Sequence, residues 1–422
     1  STSDKRHRRG FVSTRLAGTE GVTLETQKWA NILTDLGHMC FYFAGECDTP
    51  AEISEVVPEA HFNHPEILNL NQDLFDNYTR SSETSGKIQS LRYFLKKHLY
   101  KFVKKFGVEL LIIENALSIP MNIPLGLALT ELVAETSIPT IGHHHDFGWE
   151  RSRFKVSAAS DYQLGAFPPI LPSIRHVVIN SYASRQLALR LGASSTLIPN
   201  VMDFDNPPPE PNDYSEDLRE NLGIGPNDCI LLQPTRVVHR KRIELAIELS
   251  RRLGSDCTLL ISHSSGDEGS SYAKYLHTYA DMMDVKVIAI ADRINHQRGR
   301  TKEGEKVYSL ADIYQRSNLV TYPSTVEGFG NAFLETIYYK RPIVLSTYEI
   351  FRTDIEPKGF NVIGFGDFIT EETVKQTQEV LGNPELAEQI VDRNYELGRR
   401  YYSFRTLEYR LAALVNESLG LI

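Results

Sequence analysis

The sequence predicts an α/β protein of two doubly wound domains, and three observations carry that expectation. Short apolar, β-branched runs alternate with amphipathic helical stretches, the pattern of parallel strands joined by helical crossovers. The alternation pauses at Asn206-Pro-Pro-Pro-Glu-Pro211 and then starts again. Stacked prolines stiffen a chain and belong to neither element type, so this run reads as a linker. The length of 422 residues also exceeds what one ordinary core organises. The expected domains are residues 1–205 and 206–403, each of ordinary single-domain size, followed by a helical segment over 404–422.

Gly10-Phe-Val-Ser-Thr14 reads as the first strand. Thr23 to Leu36 places Leu24, Trp29, Ile32, Leu33 and Leu36 at helical spacing, and Gly37 stops it. Met39-Cys-Phe-Tyr-Phe-Ala44 is the next strand. Leu110-Leu-Ile-Ile113, Pro139-Thr-Ile-Gly142, His176-Val-Val-Ile-Asn180 and Ser195-Thr-Leu-Ile198 follow, with helical segments between. The second half opens on the strand Cys229-Ile-Leu-Leu-Gln-Pro234 and a helix from Ile243 to Leu253, ended by Gly254. Cys257-Thr-Leu-Leu-Ile-Ser262, Val285-Lys-Val-Ile-Ala-Ile290, Leu319-Val-Thr-Tyr322 and Pro342-Ile-Val-Leu345 are further strands, and Phe404 to Leu419 is helical in pattern.

A hydrophobic content of 41% and a charged content of 23% describe an ordinary soluble protein. The net charge of −9 argues against a general partner in nucleic acid or anionic membrane. The basic runs Lys5-Arg-His-Arg-Arg9 and His239-Arg-Lys-Arg242 suit an anionic small molecule instead. Cys40, Cys47, Cys229 and Cys257 have no metal-ligand spacing and read as free thiols of a reducing cytoplasm. No signal-peptide pattern and no apolar run of membrane-spanning length occurs, so a cytoplasmic protein without a membrane span is expected.

The most telling stretch is Glu327-Gly-Phe-Gly-Asn-Ala-Phe-Leu-Glu335. A strand-like run, Leu319 to Pro323, leads in, and a helix-like run, Ala332 to Tyr339, leads out. A strand, a glycine-rich turn and a helix in that order put backbone N–H groups and a helix N-terminus where a phosphate sits. The two carboxylates are eight residues apart, slightly over two helical turns, and so share a face. A ligand carrying both phosphate and vicinal hydroxyls would need such a site. The plain alternative is a helix whose acidic first turn complements its dipole.

Four further clusters accompany it. Gly18-Thr-Glu-Gly21-Val22 lies between the first strand and first helix, where glycine lets a ligand approach the backbone. It is not the G-x-G-x-x-G of a dinucleotide site, and a tight turn needing glycine for packing explains it equally well. In Gly142-His-His-His-Asp146, adjacent side chains of an extended chain point to opposite faces and no further ligand spacing follows, so no metal is expected there. Trp149-Glu-Arg-Ser-Arg153 adds an aromatic ring and cations. Gln233-Pro-Thr-Arg236-Val-Val-His-Arg-Lys241 follows the first strand of the second half; its plain reading is a solvated basic loop. Ile198-Pro-Asn200-Val-Met-Asp203 closes the first half and reads as a structural interdomain element.

Taken in order over roughly residues 10 to 350, these motifs resemble the family 4 retaining glycosyltransferases of the GT-B fold, whose signature is E-x7-E. The resemblance implies two Rossmann-like domains facing across a cleft, the C-terminal one for a nucleotide-sugar and the N-terminal one for the acceptor, with the final helix crossing back to the first domain. It implies a catalytic set of Arg236, Lys241, Glu327 and His145. Arg236 and Lys241 would bind the donor diphosphate, where fixed cations stabilise the departing charge. The family usually has glycine after the lysine; here Arg242 stands there, which leaves Arg240, Lys241 and Arg242 open as the diphosphate partner. Glu335 would accept hydrogen bonds from the ribose and Glu327 from the hexose. The amides around Gly328, Phe329, Gly330 and Asn331 would hold the diphosphate and sugar.

His145 would lie near the donor sugar, with His143 and His144 as packing or acceptor-side groups. Arg15, Gly18, Gly21, His144, Asp146 and Arg151, with Arg153 and Lys155, would face the acceptor. No cofactor and no metal is implied, since cations and helix dipoles take the metal's place; the one evident D-x-D, Asp203-Phe-Asp205, sits beside the proline run. Retention would follow a front-face route in which the leaving phosphate takes the acceptor proton, so no general base is assigned. Arg15-Leu-Ala-Gly-Thr-x-Gly-Val, with the Lys28-Trp-Ala helix and the Phe43-Ala-Gly-Glu strand end, also looks like mannosylglucosylglycerate synthases. That implies a hexose passed from GDP-mannose or UDP-glucose to a small hydroxylated acceptor, for instance an anionic one such as glucosylglycerate. The alternatives are a GT-B glycoside phosphorylase and a non-catalytic nucleotide-sugar-binding protein.

Overall fold

The computed structural model describes residues 7–266 and 270–420; Lys5 and Arg6 of the first basic run lie outside the described residues. The described residues of Ser1–Asn200 and Phe404–Ile422 form one compact unit, and Val201–Ser403 forms a second.

The first unit is built on a parallel sheet of β1 (Arg8–Val12), β2 (Met39–Ala44), β3 (Ser54–Val56), β4 (Leu110–Glu114), β5 (Thr140–His144), β6 (Ile174–Val178) and β7 (Ser195–Leu197). Their spatial order is β3-β2-β1-β4-β5-β6-β7, so the chain winds outward in both directions from β1 and β4. Helices cover both faces, and β4 and β5 are therefore buried along their whole length. Ser81 caps a helix at Ser82–Phe106 that Gly107, at φ 61°, ends. That helix sends Leu95, Leu99 and Phe102 into a core shared with Phe43, Leu111 and Leu129. The helix Phe404–Ser418 belongs to this unit and packs on the helix Gly21–Asp35, burying Leu407, Leu411, Leu414 and Val415. Arg410 donates to the Leu197 carbonyl at 2.9 Å, and Arg175 pairs with Glu417 at 3.0 Å.

The second unit repeats the plan with β8 (Cys229–Gln233), β9 (Cys257–Ile261), β10 (Lys286–Ala289), β14 (Leu319–Tyr322), β15 (Ile343–Ser346) and β16 (Ile363–Phe365), in the parallel order β10-β9-β8-β14-β15-β16. A small mixed sheet of β11 (Ile294–Asn295), β12 (Gly299–Arg300) and β13 (Lys306–Ser309) is added before β14. The unit's two chain ends meet where the Met202 N–H donates to the Tyr402 carbonyl at 2.9 Å.

Three expectations need correcting. The proline run, read as a linker, falls inside the second unit and is docked there: Tyr338 donates to the Asn206 carbonyl at 2.8 Å and Gln315 to that of Pro209 at 2.6 Å. Prolines lack N–H groups but keep carbonyls that accept well. Among the described residues of the basic run at the start of β1, the two arginines are turned to the protein rather than to a ligand. Arg8 donates to the Phe106 carbonyl at 3.0 Å, and Arg9 is wholly buried. The short strands β3, β16 and β11–β13 went unrecognised, because they are two to four residues long and carry no apolar run. The four cysteines are free thiols. No described helix is long and apolar enough to cross a membrane.

Candidate active site

In the second unit, the loops after β8 and β14 are tied together by the Thr325 N–H donating to the Arg240 carbonyl at 2.8 Å. Gln233 fixes both strand ends, donating to Thr235 at 2.8 Å and accepting from Thr321 at 2.7 Å. This scaffold turns Lys241 inward. Its ammonium, 9% exposed as a residue, pairs with the Glu327 carboxylate and lies 5.9 Å from the Tyr322 ring centroid. The neighbours point elsewhere. Arg242, at φ 46°, donates to the Pro323 carbonyl at 2.9 Å, and Arg240 is exposed. Of the three cations left open, Lys241 is thus the one that reaches the Glu327 turn.

Glu327 is held at the mouth of the helix Asn331–Tyr338. Gly330 makes the sharp turn into that helix at φ 115°, and a Cβ there would lie 2.4 Å from the Tyr348 hydroxyl. Tyr348 instead donates to the Phe329 carbonyl at 2.8 Å, which fixes the turn from behind. Phe329 is buried, while Gly328 and Asn331 are exposed. One turn into the helix, Glu335 accepts from Tyr314 at 2.8 Å. Burial first, and then Glu335, pushes the Tyr314 phenol well up, so it remains a donor to that carboxylate. His263, just past β9, was not singled out from the sequence. It pairs with Ser262 at 2.8 Å, and burial followed by the charges of Lys241 and Arg236 pushes its pKa down. A lone histidine after a strand carries no local signal; only the fold sets it beside the two cations.

In the first unit, the triple histidine splits across the sheet as an extended chain requires. Glu114, at the end of β4, pairs in register with His143, so His143 and His145 project to the same face as Glu114. His143 Nδ1 and His145 Nε2 each lie 2.8 Å from Glu114 Oε2. Burial drives the Glu114 carboxyl up, but the two histidines beside it, His143 first, outweigh burial and hold the pKa at about 2. Burial likewise lowers His143, whereas in His145 the Glu114 carboxylate overcomes burial and raises the pKa. The expectation that these histidines lack a common ligand set is corrected. Among the described residues, Glu114, His143 and His145 are the one cluster with metal-ligand spacing, and the signal for it, a carboxylate ending the neighbouring strand, is visible only once the strands are paired.

His144 points the other way. It contacts Ser118, and its Nε2 lies 2.8 Å from His176 Nδ1. At 1% exposure it is a packing group rather than an acceptor contact. Burial pushes it well down and takes His176 to about 4, so both imidazoles are neutral. Asp146 accepts from Asn115 at 3.1 Å and from Arg151 at 2.6 Å. Trp149 lies between Phe147, stacked at 4.3 Å, and the Arg190 guanidinium at 4.9 Å, so it is a wedge rather than an open platform. Arg15 lies over Gly18 and 3.7 Å from Glu46. Gly18 takes φ 80°, and its N–H donates to Asp48 at 2.9 Å. Gly21 starts the first helix, but Glu20 accepts from the Thr23 and Val22 N–H groups at 2.8 and 3.2 Å. That helix end is capped from within, so the expected approach of a ligand to the backbone at Gly21 is not what the glycine provides.

No protein-family model matches the chain. The mannosylglucosylglycerate synthase of Thermotoga maritima is 32% identical over 435 residues, covering 92% of this chain and 95% of that one. This chain belongs to the mannosylglucosylglycerate synthases. The synthase of Petrotoga mobilis is also 32% identical, over 382 residues, with 85% and 86% covered. Among solved structures, the sucrose-phosphate synthase of Thermosynechococcus elongatus aligns with a TM-score of 0.68 over 99% of this chain and 100% of that one. Its 14% identity speaks to the fold alone. A member of the mannosylglucosylglycerate synthases with two parallel-sheet, Rossmann-like units is a GT-B glycosyltransferase.

Proposed function

We propose that the chain transfers mannose from GDP-mannose to glucosylglycerate with retention of configuration, as an enzyme of the E-x7-E, family 4 type. The names of its relatives, mannosylglucosylglycerate synthases, support the sugar and the acceptor. The observation that carries the chemistry is Lys241 meeting Glu327 where the β14 turn enters the helix Asn331–Tyr338, with Arg236 and Lys241 both close enough to act on His263.

In this reading the second unit holds the donor. Glu335, fixed by Tyr314, accepts from the ribose hydroxyls. Glu327 accepts from the hexose. Gly328, Gly330 and Asn331 offer amides to the diphosphate at a helix N-terminus. Lys241 and Arg236 take up the charge that grows on the leaving diphosphate, and neutral His263 beside them adds none. The donor diphosphate therefore needs no metal. The leaving phosphate oxygen takes the acceptor hydroxyl's proton on the same face, so no side chain serves as base. In the first unit, Arg15, Asp146 and Arg151 face the acceptor, and His145 Nδ1, the nitrogen not given to Glu114, is the atom left for a sugar hydroxyl.

The test incubates the purified chain with glucosylglycerate and either GDP-mannose or UDP-glucose. Mass spectrometry should find a mannosylated product with GDP-mannose only, and NMR should find the α-anomer. Calorimetry should give the same GDP affinity with and without EDTA. A β-linked product removes retention, product from UDP-glucose alone removes the donor, and GDP binding that requires Mg²⁺ removes the metal-free donor site.

A further inference from the structure

We infer that Glu114, His143 and His145 bind one divalent transition-metal ion of the zinc class in the first unit. This does not rest on the proposed donor or acceptor. The topology builds the set: register pairing of Glu114 with His143 and the two-residue step to His145 put all three on one face at the strand ends. One donor atom from each lies within 4.8 Å of the others. Glu114 is wholly buried, and the side chains of His143 and His145 are 2% and 9% exposed. Trp29 stacks on His143 at 3.9 Å and 17°, which fixes the ring plane. The His145 N–H donates to Asn115 at 2.9 Å, which fixes the segment.

Hydrogen bonding does not complete this cluster. Both histidines approach the same oxygen of Glu114. The other oxygen, Oε1, makes no hydrogen bond among the described residues. His143 Nδ1 comes to 2.8 Å of Oε2 without the alignment of a hydrogen bond, so it too is hydrogen-bonded to nothing among the described residues. Buried polar atoms are nearly always paired, so two orphans within three residues call for an explanation. Glu114 pairs with no lysine or arginine among the described residues. A dication supplies what both orphans lack: an electron-pair acceptor for the imidazole nitrogen and for the carboxylate.

The donor set selects the ion. Two imidazoles and one carboxylate suit zinc-class ions, whereas Mg²⁺ and Ca²⁺ prefer shells of oxygen. Zinc holds such ligands at about 2.0–2.2 Å, which separates tetrahedral donors by roughly 3.3 Å. The two 2.8 Å contacts would open by about half an ångström, a small side-chain rotation. The bound ion would tie the end of β4 to that of β5.

The test uses the whole chain without a histidine tag, stripped by chelator and titrated with Co²⁺. The expected result is one tightly bound equivalent with the intense visible band of four- or five-coordinate Co²⁺, displaced by one equivalent of Zn²⁺, and a rise in Tm. His143→Asn should weaken Co²⁺ binding at least about tenfold, and His176→Asn, outside the cluster, should bind as the parent does. A parent that shows only the weak spectrum of hydrated Co²⁺ overturns the inference, and this arm decides even if a variant does not fold. A folded His143→Asn that binds Co²⁺ as tightly as the parent overturns it too.

Discussion

Lys241 and Glu327 are 86 residues apart in sequence and meet as a largely buried pair, each side chain little more than a tenth exposed. Breaking such a pair strands the remaining charge, so each single change has a structural and a chemical cost. Lys241→Ala is expected to lower turnover by on the order of a hundredfold, the usual effect of removing a transition-state charge stabiliser. Arg240→Ala, at an exposed neighbour, should leave turnover near the parent's; the reverse pattern in steady-state kinetics would make Arg240 the diphosphate partner. The two glutamates should separate in calorimetry. Glu335→Ala is expected to weaken GDP binding by about 1.5–3 kcal/mol, the scale of a hydrogen bond to a charged group. Glu327→Ala should leave GDP affinity nearly intact and lower turnover with the intact nucleotide-sugar. Equal GDP affinity in both variants and the parent would dissolve this division of labour.

The turn between β14 and the helix Asn331–Tyr338 is the element on which these roles depend, and Gly330 is its tightest point. Any side chain there meets the Tyr348 hydroxyl and must also adopt φ 115°. Gly330→Ala is therefore expected to cost about 1–3 kcal/mol in urea unfolding and to weaken GDP binding with it. Gly165→Ala, in a helix with open space around it, should be neutral or slightly stabilising. An unchanged midpoint for Gly330→Ala would mean that the turn is free to reshape. This turn was legible in the sequence because everything that defines it is local: an apolar strand, two glycines and a helix-like run, with a carboxylate on either side of the turn. Most strands of both sheets were legible for the same reason, their runs being apolar and long. What was not legible is relational. Glu114 looked like the last residue of a strand, and it became a ligand-set member only through its register with His143. His263 needed β9 to lie beside β8, and Glu20 needed its helix to start before its carboxylate had amides to cap.

At the scale of the whole molecule, the chain leaves its first unit after Asn200, completes the second, and returns for one last helix. The Met202–Tyr402 hydrogen bond and the Met202–Ser403 bridge close the second unit at its own ends, so that unit is complete without the residues that follow. The first unit is not. Leu407, Leu411, Leu414 and Val415 are each at most 2% exposed against it. At about 1.5–3 kcal/mol for each buried side chain, their removal forfeits roughly 6–12 kcal/mol, as much as the whole stability of a typical domain. A chain ending at Ser403 is thus expected to lose the cooperative unfolding transition of the first unit and to expose it to proteolysis. Its second unit should still bind GDP with near-parent affinity, because Arg236, Lys241, Glu327 and Glu335 all lie within Val201–Ser403. Limited proteolysis followed by calorimetry separates these outcomes. A protease-resistant first unit in the truncated chain would reduce the last helix to an appendage, and loss of GDP binding would show that the second unit depends on it.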